Sequence, residues 1–241
     1  MSQDAPSETG YMWTNARVLA VGVAVSPQTA SAWLPEALSA GEPPTATLFV
    51  ADYPETSFGV VYRESGILLH VKDARGTAAH CPWMVVDDDA ALILGREMLG
   101  FPKKLAEIAL EERGDRVVGT VRRRGTEILR VEATLGATEA DPAPLFGRRL
   151  VNAIGTPVTG MKLVDLAPAA ERIRSSRAAE AKVTLASGDR DPLGELQPAP
   201  SGPARLLVLD FGGGGGEPTA PELIADADAA WQQRNTIFRA M

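Results

Sequence analysis

Cysteine is nearly missing from this 241-residue chain, where Cys81 stands alone. A single thiol makes neither an internal disulfide nor a cysteine-rich metal site, so a disulfide-stapled secreted fold is excluded and a reducing, cytoplasmic setting is expected. Beside Pro82 and Trp83, Cys81 reads as a small buried residue and not as a nucleophile. Histidine is almost as scarce, and neither His70 nor His80 has a carboxylate at ligand spacing, so no metal site is expected. Long apolar runs are absent too: the longest, Val18 to Val25, is much too short to cross a bilayer. Basic residues, 24 against 31 acidic ones, leave a net charge of −7, which argues against nucleic acid and anionic membrane as partners. Residues Met1 to Tyr11 are polar and acidic, without the basic start or apolar core of a secretory signal, and read as a flexible tail.

What is present describes a globular chain. Hydrophobic residues make up 45% and charged residues 23%, enough for a substantial core, and residues 1–241 read as a single domain. Val18 to Ser26 reads as a central strand, and Pro27 to Ser39 as a short helix containing Leu34 and Leu38. Thr45 to Tyr53 and Ser57 to Arg63 are strand-like, a turn follows at Ser65-Gly66, and Ile67 to Lys72 returns as a strand. Asp87-Asp88-Asp89 precede the helical run Ala90 to Leu99 and suit its N-terminus. Leu105 to Glu111, Arg116 to Arg123 and Glu127 to Leu135 read as antiparallel hairpins joined at Gly114 and Gly125, with Arg122, Arg123 and Arg124 at a solvated tip. Further strands are expected at Val158 to Leu166, Ala181 to Leu185 and Arg205 to Asp210, and a helix from Ala225. The run Gly212 to Gly216 is followed by Glu217-Pro218 where a phosphate loop needs lysine and a hydroxyl, so it reads as a flexible connection. Strands dominate without β-α-β alternation. The fold class is therefore α+β and β-dominated: a mixed or antiparallel sheet curled into an open barrel or cone with peripheral short helices.

One stretch carries chemistry, Gly95-Arg96-Glu97-Met98-Leu99-Gly100-Phe101-Pro102-Lys103-Lys104-Leu105-Ala106. Gly100 can take the left-handed conformation that closes a helix, and Pro102 forbids the helix from resuming. Lys103 and Lys104 thus sit at a forced change of direction. An ordinary lysine, with a pKa near ~10.4, is almost wholly ammonium at neutral pH and cannot attack a carbonyl. Burial among apolar groups, or a second cation nearby, frees the lone pair for Schiff-base chemistry. Phe101, Pro102, Leu105 and Ala106 offer the first and the lysine pair the second. The residues alone favour a solvated pair stabilised by the helix dipole, because lysine is rarely buried. Strict alternation puts Lys104 on the face of Ala106, Ile108 and Leu110, and Lys103 on that of Leu105 and Glu107.

Gly95-Arg96-Glu97 followed by Phe101-Pro102-Lys103-Lys104-Leu105 resembles the lysine motif of the acetoacetate decarboxylase family. Tyr62-Arg63-Glu64-Ser65-Gly66 resembles that family's upstream glutamate motif, and the 39-residue separation of Glu64 from Lys103 matches without a gap. Weaker likenesses run from Leu34-Pro35-Glu36 to Gly202-Pro203-Ala204. The resemblance implies a cone-like open barrel with the lysine inside, no cofactor, an oligomer of identical chains, and a small β-keto acid decarboxylated through an imine on Lys103. Activation of that lysine by a neighbouring cation, here Lys104, is the family's own mechanism and comes with the resemblance. So do Glu64 as the acid or base and Arg17 as holder of the substrate carboxylate. The chain departs from the pattern at Phe49, which stands where the family's decarboxylases carry a second acid. The nearest carboxylate, Asp52, falls on the other face of that strand. Phe49 then reshapes the substrate pocket. Alternatively the imine serves aldol condensation and dehydration of keto acids such as pyruvate, as in some relatives, or the barrel binds a small ligand without turning it over. Trp83, Met84, Phe49 and Met161 are candidate pocket walls that suit a core equally well.

Overall fold

In the computed structural model, which describes residues 11–156, 158–188, 190–213, 222–229 and 231–232, strands far outnumber helices. Setting two-residue strands aside, the elements are β1 (Tyr11–Ala24), α1 (Pro27–Trp33), β2 (Thr45–Tyr53), β3 (Tyr62–Asp73), β4 (Gly76–Val86), α2 (Asp89–Leu99), β5 (Lys103–Leu105), β6 (Glu107–Arg113), β7 (Arg116–Arg123), β8 (Thr126–Thr138), β9 (Leu150–Thr156), β10 (Gly160–Leu166), β11 (Glu171–Leu185), β12 (Ala199–Gly213) and β13 (Glu222–Asp226). One sheet runs β13-β10-β9-β4-β3-β2-β1-β12-β11-β8-β7-β6, with β5 added to β4. Its ladders are antiparallel except along one edge of β4, where β9 and β5 both pair in parallel, at Ala79 and at Met84 to Val86 respectively.

The open sheet curls over itself. A Cβ added at Gly119 in β7 would lie 2.8 Å from a Val50 methyl in β2, so the glycine is what allows the two halves to touch. Between them lies the larger core, including Leu19, Val21, Leu48, Val50, Ile67, Leu69, Val121 and Val131, each buried side chain stabilising the fold by roughly 1.5–3 kcal/mol. Because side chains alternate along a strand, the residues in between face the other way. Ala16, Val18, Ala20, Phe49, Ala51, Tyr53, Met84 and Val86 build a second apolar cluster there.

Several elements differ from expectation. Ser65-Gly66 is not a turn but the middle of β3. The Ser65 hydroxyl donates to the Phe49 carbonyl at 2.7 Å, and a Cβ on Gly66 would lie 2.9 Å from the Phe49 ring. Turn-forming residue types here serve a close strand crossing. Residues 57–61 lie outside strands, whereas β1 starts well before Val18, carried through an irregularity at Asn15 (φ 54°). The strand β9 has no counterpart in the sequence reading, and the helix expected from Ala225 starts only after β13, with helical residues at Ala229, Trp231 and Gln232. Gly214 to Gly216 and residues 233–241 lie outside the described residues. Among the described residues no helix is long and apolar enough to cross a membrane.

Candidate active site

A single continuous piece of chain, from β3 to β5, brings the reactive groups together. Asp88 caps α2 by accepting from the Ala91 amide at 2.9 Å. Gly100, at φ 66°, closes it in the left-handed conformation. A Cβ there would lie 2.7 Å from the Ala153 carbonyl oxygen in β9, and buried Asn152 donates to the Leu99 carbonyl at 2.9 Å. The helix end is thereby clamped to the sheet, and Pro102 directs the chain back alongside β4. Lys103 then stands opposite Met84, while Glu64 stands opposite Val86. With a period of two, Tyr62, Glu64, Met84, Val86 and Lys103 share one face.

Lys103 Nζ lies 2.7 Å from Glu64 Oε2, with the two side chains only 6% and 8% exposed. The other Glu64 oxygen accepts from the Tyr53 hydroxyl at 3.3 Å. The amine sits 5.4 Å from the Tyr62 ring centre and 5.8 Å from that of Phe101. Burial first, and the Glu64 charge second, push the Tyr53 and Tyr62 hydroxyls well above the ordinary phenol range, so both stay neutral. Trp13 Nε1 donates to the Tyr62 hydroxyl at 3.0 Å.

Gly95 is space for the lysine. A Cβ there would lie 2.5 Å from Lys103 Cε and 2.8 Å from Nζ. Gly95→Ala is accordingly expected to lower both stability and turnover. Unfolding measurements should show a net loss, since separating buried Lys103 from Glu64 outweighs the roughly 1 kcal/mol by which alanine favours the helix. Turnover should fall about 10²-fold, because the displaced amine no longer meets its partners. Equal activity in the two proteins would refute the packing role.

The second lysine goes elsewhere. Lys104 projects to the opposite face of β5, where Nζ pairs with Asp191 Oδ1 and donates to the Arg190 carbonyl at 3.2 Å. Asp191 also accepts from Trp83 Nε1 at 2.9 Å and from Arg123 Nε at 2.7 Å, and Arg123 reaches the Leu105 carbonyl as well. The expectation that Lys104 repels the proton of Lys103 is therefore corrected. The two amines leave the strand on opposite faces, and the Lys104 charge is met by a buried carboxylate. Arg123 likewise is no solvated hairpin residue but a buried partner of Asp191.

Arg17 is corrected too. It shares the side of β1 with Leu19 and Val21, pairs with Glu112 across the curled sheet, and does not line the cavity. Phe49 is fully buried behind the cavity, edge-on to Phe146 with ring centres 5.7 Å apart. Of the four candidate wall residues Met84 lines the cavity, while Trp83 and Met161 belong to the larger core.

The cavity over Lys103 and Glu64 measures about 170 Å³. Its charged lining residues are Glu64, Lys103 and Arg148, and the rest is apolar or aromatic. Sequence reasoning missed Arg148. One of its nitrogens lies 3.3 Å from His70 Nε2 and another donates to the Pro144 carbonyl at 3.3 Å. His70, whose Nδ1 contacts the Thr45 hydroxyl at 2.9 Å, is held below its ordinary pKa by burial and then by Arg148, and so favours the neutral form. The loop carrying Arg148 is pinned by Glu171, which accepts from the amides of Leu145 at 2.9 Å, Phe146 at 2.7 Å and Gly147 at 2.8 Å. No local sequence pattern announces this arrangement. Tyr62 carried a signal, standing two residues before Glu64 on one strand.

Fold and site together define a class: a β-dominated open cone whose apolar interior holds a lysine and a carboxylate in contact. The chain belongs to the acetoacetate decarboxylase family, whose model, described as acetoacetate decarboxylase (ADC), matches residues 1–223. It is 35% identical over 113 residues to acetoacetate decarboxylase 1 of Mesorhizobium japonicum, a stretch covering 46% of this chain and 44% of that one, so the match spans less than half the length of the relative. The fold is similar to that of the acetoacetate decarboxylase of Legionella pneumophila, with a TM-score of 0.77 at 18% identity over 94% of both chains. It is also similar to the enduracididine biosynthesis enzyme MppR complexed with pyruvate, with a TM-score of 0.69 at 20% identity over 88% of this chain and 89% of that one.

Proposed function

We propose that this protein is a Schiff-base-forming lyase that decarboxylates a small β-keto acid, with Lys103 as nucleophile. The observation that carries the reading is the contact of Lys103 with Glu64 inside an apolar cavity. Glu64 takes a proton from the ammonium. The freed amine adds to the ketone carbon, and loss of water gives the iminium. The bond to the carboxylate then breaks, its electron pair moves into the iminium as an enamine, and carbon dioxide leaves. Glu64, having given its proton to the departing water, takes another from solvent and protonates the enamine carbon, and hydrolysis then returns the amine and releases the ketone. The iminium is itself the electron sink, so the cycle uses no cofactor. Arg148 lines the cavity and Arg17 does not, which supports Arg148 as holder of the substrate carboxylate. The protein works as an oligomer of identical chains in the cytoplasm, as the family resemblance implies.

A second reading has its own support. Among the described lining residues Glu64 is the one carboxylate, and a fold neighbour is complexed with pyruvate. An imine formed there on a keto acid could condense with an aldehyde. Intact-mass measurement after incubation with acetoacetate or pyruvate and borohydride decides between the readings, with carbon dioxide followed in parallel without reductant. An adduct absent from Lys103→Ala but present in Lys104→Ala, with carbon dioxide released, is the expected result. An adduct without carbon dioxide favours condensation, and no adduct refutes the imine for these substrates.

A further inference from the structure

We propose that the cavity selects β-keto acids bearing an aromatic or branched apolar tail over acetoacetate, a preference that rests on the imine chemistry proposed above. The chain has six Phe, four Trp and three Tyr in 241 residues. Trp13, Tyr53, Tyr62, Phe101, Phe146 and Phe211, nearly half of them, line this one cavity. Acetoacetate would present to those rings only a methyl group and a methylene. An apolar cavity of about 150 Å³ holds a whole benzene molecule, so the 170 Å³ here offers more apolar space than the methyl and methylene of acetoacetate fill.

The wall is preformed. Phe211 stacks on Trp13 with ring centres 4.7 Å apart and planes 1° from parallel, and Phe146 lies 4.6 Å from Phe211. Glu171 holds the Phe146 amide at 2.7 Å, and Trp13 is held by Tyr62 at 3.0 Å. These rings are fixed by hydrogen bonds and by one another, so they do not collapse onto a small substrate. Space left unfilled there is lost binding, and space filled by a ring is apolar surface removed from water. The charged groups complete the selection: Lys103 takes the ketone, Arg148 the carboxylate, and the tail must be uncharged.

The test compares kcat/KM for acetoacetate and 3-oxo-3-phenylpropanoate in the wild type, Phe146→Ala and the milder Phe146→Leu. Calorimetric binding of 3-phenylpropanoate and propanoate is measured alongside. The phenyl substrate is expected to be favoured at least about 10-fold in the wild type, the ratio falling below about threefold in Phe146→Ala and lying between in Phe146→Leu. A wild-type ratio near one, or one favouring acetoacetate, overturns the proposal. If neither keto acid reacts or forms an adduct, the imine reading fails and the binding data decide the pocket alone. Binding of 3-phenylpropanoate at least about 10-fold tighter than propanoate, with the difference reduced by both Phe146 variants, upholds the apolar-tail site, and equal binding overturns it.

Discussion

Lys103→Met is expected to abolish the borohydride adduct and to lower turnover by about 10⁴-fold or more, the scale seen when a covalent catalyst is removed from a unit of coupled groups. The same change should also destabilise the protein. Glu64 is left in an apolar cavity without the ammonium 2.7 Å away, and stranding one partner of a buried pair costs about 3–5 kcal/mol unless the carboxylate takes up a proton. Adding Glu64→Gln removes the stranded charge while keeping an acceptor for Tyr53. The double variant should therefore regain most of the stability and none of the activity. Denaturant unfolding beside steady-state rates checks both halves. A single variant that melts like the wild type would show that the pair does not stabilise the fold, and a double variant that still forms adduct would remove Lys103 from the chemistry.

Asp191→Ala should damage the fold more than any surface change, by about 3–5 kcal/mol, because it strands Lys104 and Arg123 together. Burial alone would raise the Asp191 carboxyl, but hydrogen bonds from Lys104, Trp83 and Arg123 outweigh it and hold the group below the ordinary carboxylate range. With a folded pKa below the unfolded value of about 3.9, its contribution is fully present above that value and is lost as pH falls through the folded one. Wild-type stability should thus drop as the pH is taken below about 4, and Asp191→Asn should flatten that part of the profile while lowering the plateau. Urea midpoints from pH 2 to 7 give the comparison; identical profiles would show that Asp191 does not titrate differently in the fold.

Sequence reading reached furthest where the determinants are local. The stop at Gly100, the proline behind it and the aspartates before α2 are short-range signals, and they placed the helix and the turn toward Lys103. The two-residue period correctly opposed His70 to Ile67, Leu69 and Val71. Arg17 was assigned by resemblance alone, and the structure sets it on the side of Leu19 and Val21, away from the cavity. What stayed illegible depends on partners far along the chain. Asp191 is 87 residues from Lys104 and 68 from Arg123, so nothing near either base distinguishes a buried pair from a solvated one. Arg148 and Phe211 reach the cavity only through sheet order and the Glu171 anchor. The Ser65-Gly66 misreading has the same origin, since a glycine demanded by the Phe49 ring across the strand looks locally like one demanded by a turn.

Because β3, β4, α2 and β5 supply both Lys103 and Glu64, the bond-making pair travels as one contiguous segment of chain. Trp13, Phe146, Arg148 and Phe211 come from three other segments, none of which has to move a backbone atom of that unit to change its side chain. Reactivity and choice of substrate can therefore drift separately, and a library confined to those four positions would be a direct way to give the same lysine a new clientele.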